Sequence, residues 1–334
     1  MKRIIGLLLI ITLLVTFSAC GTKKAENKPL STTFRCFNTM CTITVYDNIS
    51  KADFETLRKA IISTCTKYEY SFSKKYYVNF VRKANQNKFA NLKSEEKDLI
   101  KKSIKYSKMT NGAFDITVCP LVDLWSVGSS NFNIPRRFDI KKLLPKVGYE
   151  QLHFDQDTLF LSKTGSIDLG AIAKGYVTDK LVDLLNNSNI ESAIIDLGGN
   201  VYAYGSKEGK PFKIGIKKPF GNGEYSAIVN VKDKSVITSG IYERYKKVKG
   251  KIYSHIIDPK TGYPVDNDLN SVTVISNDCT AGDALSTGFM VMGLKKGMEL
   301  ANKTKDVEAV FIDKDNKLHL TNGLRQNGNN ITIK

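Results

Sequence analysis

Hydrophobic and polar positions along this 334-residue chain recur with two periods. Alternation with a period of two marks "CTITVYD" (41–47), a hairpin over "LHFD" and "TLFLS" (152–162), and strand–turn–strand in "SAIIDLGGNVYAYG" (192–205). "FKIGIK", "SAIVNVKD", "SVITSG" and "SVTVIS" (271–276) read as further strands, and "VEAVFIDKDNKLHLTNG" (307–323) as a closing hairpin. Helical spacing joins Phe54, Leu57, Ile61, Cys65 and Tyr68 over 53–70. It also joins Leu99, Ile100, Ile104 and Met109 in a helix capped by Ser94 and stopped by Asn111-Gly112. "PLVDLW" (120–125) predicts a short apolar helix, and "AGDALSTGFMVMG" (281–293) the start of a longer one. In "SIDLGAIAKGYVTDKLVDLL" (166–185) a strand ends at Asp168, Gly170 turns the chain, and a helix begins near Ala173. Strands dominate, five or six helices lie between them, and no repeat at solenoid spacing is visible. The pattern predicts an α+β fold of mixed and antiparallel sheets with packed helices, as one large domain or two intimate subdomains.

The ends add a location. Lys2 and Arg3 precede the apolar "IIGLLLIITLLVTF", and "SAC" puts small residues before Cys20. This predicts a signal peptide over 1–19, too short with these flanks for a stable spanning helix. The cut site resembles a bacterial lipobox, with Phe17 where such boxes more often carry Leu, so Cys20 is the expected lipidation site. A lipidated Cys20 and a flexible polar tether then fill 20–33, and the folded domain fills 34–330. The expected place is the cell membrane, lipid-anchored on the extracytoplasmic face of a bacterium.

The net charge is +17, or +15 once Lys2 and Arg3 are removed. Nucleic acid is an unexpected partner outside the cytoplasm; anionic headgroups or a phosphorylated substrate suit the charge better. The lysines are dispersed as pairs at 74, 101, 141, 217 and 246, as on a solvated surface. Five cysteines remain besides Cys20, an odd number without a C-x-x-C, which supports neither a disulfide framework nor a zinc site. Cys36 and Cys41 either pair or stay as buried thiols.

Several sites of familiar chemistry are missing. There is no P-loop, no Rossmann glycine fingerprint and no G-x-S-x-G elbow. "DKDNKLHLTNGL" (313–324) begins like a calcium loop but has Leu318 where Gly is needed and Leu324 where Glu should chelate. His153 and His319 lie in alternating strands and read as structural or solvent-facing.

Four motifs carry candidate chemistry. In "AGDALSTG", Asp283, Ser286 and Thr287 rise from one helix face, an all-oxygen set suited to a hard cation; an acidic residue in a first helical turn has the same appearance. In "IDLGAIAKGY", N–H groups at a helix start with Lys174 nearby suit phosphate, as any β-turn-α unit with a glycine would. "GAFDITVCP" offers Gly112 for close approach and Asp115 as an acceptor on a strand. "IDLGGN" is a double-glycine turn that either contributes to a site or only turns the chain. His255, in "YSHIIDPKTGYPV" (253–265), ends a short apolar strand before the turn Asp258–Gly262, which would hold an imidazole rigidly.

Their wording and order together are more specific. "GAFDITVCPLVDLWSVG", "IDLGAIAKGYVTDKL", "IDLGGN", "TSGIYERYKKVKGKIYSHIIDPKTGYPV" and "SVTVISNDCTAGDALSTGFMVMG" resemble the ApbE family of FAD:protein FMN transferases, from about Phe34 to Gly323. The resemblance implies the ApbE, T-fold-like, architecture. It implies Mg²⁺-dependent transfer of the FMN part of FAD to a Ser or Thr hydroxyl of an exported or membrane flavoprotein, with release of AMP. It implies metal ligation by Ala171, Asp283 and Thr287, with Ser286 where some members have a second Asp, and Mn²⁺ as an alternative ion. FAD contacts would fall to Met40, Lys75, Ala113, Phe114, Asp115, Asp168, Lys174 and Ile257, and the catalytic histidine to His255. Two departures are visible. "TMCT" replaces the family's "TMGT", placing the Cys41 side chain where a glycine usually lies near the flavin. Lys75 aligns with an aromatic position, which Tyr76 or Tyr77 could fill after a small shift. The alternatives are an FAD pyrophosphatase releasing FMN and AMP, and a flavin-binding lipoprotein without catalysis.

Overall fold

The computed structural model describes residues 28–334; the expected signal peptide and Cys20 lie outside them. Along the chain, β1 (Leu30–Cys36) and β2 (Thr39–Val45) form a hairpin, followed by α1 (Lys51–Phe72), α2 (Phe80–Asn87), β3 (Phe89–Asn91) and α3 (Ser94–Met109). Next come α4 (Cys119–Trp125), α5 (Arg137–Leu143), β4 (His153–Asp155), β5 (Thr158–Phe160) and α6 (Ala173–Asn186). Five strands follow: β6 (Ser192–Leu197), β7 (Asn200–Gly205), β8 (Phe212–Lys217), β9 (Tyr225–Val231) and β10 (Lys234–Gly240). A hairpin of β11 (Tyr245–Val248) and β12 (Lys251–Ser254) leads to β13 (Leu269–Ser276) and α7 (Cys279–Lys303). The chain closes with β14 (Val307–Asp313), β15 (Leu318–Leu320), β16 (Leu324–Asn327) and β17 (Asn330–Ile333).

An eight-stranded sheet in the order β1-β2-β6-β7-β10-β13-β14-β15 is the centre of the fold. All its pairings are antiparallel. Alternation along each strand supplies two cores, because successive side chains point to opposite faces. Val307, Ala309 and Phe311 of β14 join the helix-side core with α1, α3, α6 and α7, whereas Val310 and Ile312 join the other. That second core is closed by a four-stranded sheet, β16-β17-β9-β8, in which β17 and β9 run parallel. The sheets are therefore mixed, as the pattern predicted. A smaller cluster of Leu121, Trp125, Ile140 and Ile257 sits beneath the 258–262 turn.

Several expectations need correction. The last residues of the expected tether, Leu30–Thr33, belong to β1 and are held across the hairpin by hydroxyl contacts such as Thr33–Thr42 at 3.0 Å. β17 likewise carries the fold to Ile333. Ser94 is the first residue of α3, not its cap; the Glu96 carboxylate accepts from the Lys93 amide at 2.8 Å and closes the turn. Asp115 is not on a strand but caps the short 3₁₀ turn Ile116–Val118. The segment before Asp168 is extended yet unpaired as a strand; the Asp168 amide donates to Ile116 O instead. The described residues hold seven α-helices, one or two more than the pattern gave, α2 and α5 being only eight and seven residues long. No helix among them is long and apolar enough to cross a membrane.

Candidate functional site

A cavity of about 850 Å³ opens where the ends of β6, β7 and β10 meet the starts of α6 and α7, with α1 and the 253–259 segment as further walls. Its size falls in the range of small-molecule sites. It gathers Lys75, Ala113, Phe114, Asp115, Asp168, Ala171, Lys174, His255, Ile257, Asp283 and Thr287, residues spread over more than half of the chain. Met40 is not among them: it points outward from the β1–β2 hairpin and is 58 % exposed. Cys41 departs from its expectation too, since it is buried in the helix-side core with its thiol 3.7 Å from Cys36 O. Tyr76 and Tyr77 do not line the cavity; Tyr76 packs on Tyr70 and Tyr77 under Arg82, so neither replaces the aromatic that Lys75 displaces.

The α6–α7 crossing builds the oxygen cluster. Gly175 lets the helices touch, and its amide donates to Asp283 Oδ2 at 2.9 Å. Gly175 is the third residue of α6, so its amide is one of the helix-start donors without a partner inside the helix, and Asp283 supplies that partner; Ala171, just before the helix, lines the cavity. Asp283 is buried, and Lys174 Nζ lies 3.7 Å from its Oδ1. The cap of α7 is Asp278, which accepts from the Ala281 amide at 2.8 Å. Asp283 therefore stands beyond the first turn, and capping does not account for it. Asp179 of α6 adds a second clasp, accepting from the Cys279 and Thr280 amides at 2.8 and 2.9 Å. Burial, then the charge of Asp278, pushes Asp179 up to about 6.

Asp283, Thr287 and the Ala171 carbonyl reach one cavity, and all are oxygen donors. The set fits a hard divalent cation, and a buried carboxylate with only one amide donor and a lysine at 3.7 Å has coordination to spare. Among the described residues no three His, Cys, Asp or Glu side chains group together, so this set would draw on a hydroxyl and a backbone carbonyl beside its one carboxylate. Ser286 stands apart from this set. It is buried behind the wall, where its hydroxyl contacts Asp283 O at 3.0 Å and Ser239 Oγ at 2.9 Å; Ser239 in turn reaches Thr287 Oγ1 at 3.1 Å.

His255 follows β12 directly. Its amide donates to Arg244 O at 3.0 Å, and its Nδ1 lies 3.1 Å from the same carbonyl. A carbonyl can only accept, so Nδ1 carries the proton and Nε2 keeps its lone pair. Burial, then the nearby Arg244 and Lys174 cations, pulls the imidazole down to about 3, and it is uncharged near neutral pH. The 258–262 turn behind it is firm: the Gly262 amide donates to Asp258 O at 2.8 Å and Trp125 Nε1 to Gly262 O at 2.8 Å.

Asp115 is fully employed in structure, accepting from Thr117 N, Thr117 Oγ1 and Tyr149 N at 2.7–2.8 Å. Burial raises it despite these donors. Asp168 folds back on the Gly170 amide at 2.8 Å and pairs with Lys74 at 2.8 Å. Lys74 was not anticipated. It also reaches Asp123 at 2.5 Å; burial opposes its charge, but Asp168, Cys119 and Asp123 outweigh this and hold it above the usual lysine range. No periodicity singles it out among so many lysine pairs. Asn200 was equally hidden: it is 3 % exposed at the cavity wall, and its Nδ2 has no partner. The "IDLGGN" turn that carries it does more than reverse the chain, because a Cβ on Gly198 would lie 2.3 Å from Thr39.

The remaining expectations resolve simply. Cys36, Cys41, Cys65, Cys119 and Cys279 are all buried and all free thiols. His319 pairs with Asp313 at 2.7 Å, and His153 sits exposed in the β4–β5 hairpin. Asp313 accepts from the Asp315 and Lys317 amides, which makes the calcium-like stretch an ordinary hairpin turn.

The chain is similar to the FAD:protein FMN transferase of Klebsiella pneumoniae, 38 % identical over 223 residues that cover 66 % of this chain and 69 % of that protein. It is 29 % identical to the Haemophilus influenzae protein of the same name over 95 % of each. Among solved structures, the ApbE protein of Thermotoga maritima superposes with a TM-score of 0.81 at 31 % identity, covering 88 % of this chain and 97 % of that one. The flavin transferase ApbE of Vibrio cholerae gives 0.79 at 28 % identity, covering 88 % and 97 %. The sequence profile of the ApbE family matches residues 37–311, from the tip of the first hairpin through the helix that bears Asp283. The chain belongs to the ApbE family.

Proposed function

We propose that this chain is an FAD:protein FMN transferase, as its relatives are named. It would move the FMN part of FAD to a Ser or Thr hydroxyl of an exported or membrane flavoprotein and release AMP. The observation that carries this reading is the convergence of Asp283, Thr287, the Ala171 carbonyl, Lys174 and His255 on one cavity of a size suited to a small molecule.

Asp283, Thr287 and the Ala171 carbonyl would hold Mg²⁺, or Mn²⁺ in its place. When bound, the ion would neutralise the charge of the diphosphate and of the departing AMP. This chain's own residues do the rest. Lys174 adds a cation beside the α6 start. The Arg244 carbonyl fixes the His255 tautomer, and Nε2 accepts the proton of the acceptor hydroxyl. The hydroxyl oxygen bonds to the FMN phosphorus as the P–O bond to AMP breaks. A pKa of about 3 would make a poor base at neutral pH. The same cations that depress it are the ones a diphosphate would neutralise, so the imidazole is expected to regain basicity when substrate binds.

The reading also puts the domain outside the cytoplasmic membrane, tethered through a lipid on Cys20; it is supported by the sequence of residues 1–20 alone. The deciding experiment incubates residues 21–334 with FAD, Mg²⁺ and candidate exported proteins, then weighs the proteins and assays AMP. An acceptor gaining the mass of FMN supports transfer. AMP without any modified acceptor would leave a pyrophosphatase, and no AMP at all would end the enzymatic reading. Asp283→Ala should abolish both products.

A further inference from the structure

The wall that carries His255 continues outward onto a surface that the reaction chemistry leaves unused. Arg244 and His255 bracket the β11–β12 hairpin, and its strands have two different faces. One face is spent internally: Tyr253 stacks on Trp125 at 5.7 Å and meets Phe132 at 6.1 Å. The other carries Tyr245 and Lys247, which sit across from Ser254 and Ile252. On this side the 217–225 loop brings Phe220 against Tyr245 at 5.6 Å and against Tyr242, itself a cavity residue, at 5.8 Å. Phe220 is nevertheless 45 % exposed, and Tyr225, over Gly215 at the cavity edge, is 60 % exposed. Aromatic rings clustered at the mouth of a cavity and left in water mark a contact surface rather than a core.

The charge around these rings is predominantly positive. Lys213 and Lys217 of β8 line the cavity edge, and Lys247 and Lys249 lie on the hairpin; all four are exposed. None of them is within ion-pair distance of a carboxylate among the described residues, unlike Lys218, which Glu224 neutralises at 2.7 Å. Glu243 on this rim and Asp196, which lines the cavity and feels the charge of Lys217, are the carboxylates that stand against them.

We infer that the Phe220–Tyr245 surface with Lys213, Lys217, Lys247 and Lys249 docks the acceptor protein, through an acidic segment that rests an apolar side chain on the two rings and leads its hydroxyl to His255. This rests on the transferase reading above and names the partner's chemistry. An acceptor hydroxyl must come within hydrogen-bond reach of Nε2 while FAD fills the cavity, so the acceptor has to lie on the rim that bears the imidazole. Unpaired lysines there attract acidic sequences and repel basic ones.

The test uses residues 21–334 with FAD, Mg²⁺ and synthetic peptides. Each peptide has one central Thr and one Leu three residues away, and they differ only in flanking Asp or Lys. Wild type should modify the acidic peptides at least tenfold faster than the basic ones, with KM rising as salt is added. Lys247→Glu/Lys249→Glu should reverse the order, and Phe220→Ala should raise KM for the acidic peptides about five- to tenfold. AMP release from FAD to water should persist in these variants, because Lys247, Lys249 and Phe220 all lie outside the cavity lining. Transfer rates indifferent to peptide charge would overturn the docking assignment. So would variants that lose binding to anionic phosphatidylglycerol vesicles while keeping peptide preference. Wild type that releases AMP but modifies no peptide, or that neither binds FAD nor releases AMP, would instead bring down the transferase reading itself.

Discussion

The Gly175 amide and Asp283 Oδ2 are 2.9 Å apart, and nothing larger than a hydrogen fits on the glycine that makes the bond. A Cβ there would lie 2.3 Å from Cys279 O and 2.7 Å from Asp283 Cβ. The first contact is with backbone and cannot be relieved by a rotamer change. Gly175→Ala is therefore expected to push α6 from α7, costing about 1–3 kcal/mol by overpacking. Activity should fall further than stability, because the displaced carboxylate is the one that would hold the ion. A denaturant midpoint with a paired FAD-cleavage assay checks both; full activity with unchanged stability would contradict the crossing described here.

His255 has a different signature. His255→Ala should bind FAD as wild type does, since the imidazole supplies neither the carboxylate nor the lysine of the phosphate site. Transfer should drop by about 10²–10⁴-fold. Flavin fluorescence titration and the mass of a modified acceptor give the two numbers separately.

The same imidazole sets a pH dependence of folding. In the folded chain it stays neutral down to about pH 3, whereas in the unfolded chain it protonates near 6.5. Between these values the unfolded state binds the extra proton, so stability is full above about 6.5 and declines on acidification. Asp179 acts oppositely: held at about 6 when folded, it keeps a proton that the unfolded chain releases near 3.8, and its contribution declines as pH rises through that interval. His255→Gln should therefore lose less stability than wild type between pH 6.5 and 4, as read by urea midpoints.

Lys74 links α1 to the 168–171 turn. Lys74→Met should leave the fold intact, with a stability loss of about 1 kcal/mol or less since the side chain is partly solvated. FAD affinity should fall more clearly, because Asp168 then loses the cation that orients it beside the cavity. Equilibrium dialysis of FAD against both proteins decides the matter.

Much of this was readable from residues alone. The apolar run of Val307–Ile312 gave a strand of the closing hairpin, and the spacing of Asp283 and Thr287 gave a shared helix face. What periodicity could not supply was long-range: that the Asp283 carboxylate is met by Gly175, 108 positions earlier, or that Lys74 crosses to Asp168. Ser286 shows the converse. Its three-residue spacing put it on the Asp283 face, but a helix face has width, and the Ser286 hydroxyl turns to Ser239 behind the wall. Met40 and Cys41 go separate ways because adjacent residues in a strand face opposite sides, Met40 outward and Cys41 into the core, and a family pattern written as a run of letters hides that.

The five sequestered thiols carry a consequence for handling and for biogenesis. Cys36 and Cys65 lie together with Cys41 close by, and all three are buried once the sheet and α1 have closed. Protection from oxidants is thus a property of the finished molecule and not of the chain on its way there. Diluted out of denaturant in air, the protein should accumulate cross-linked, inactive species. The native form, given the same exposure, should emerge with every sulfhydryl still reducing.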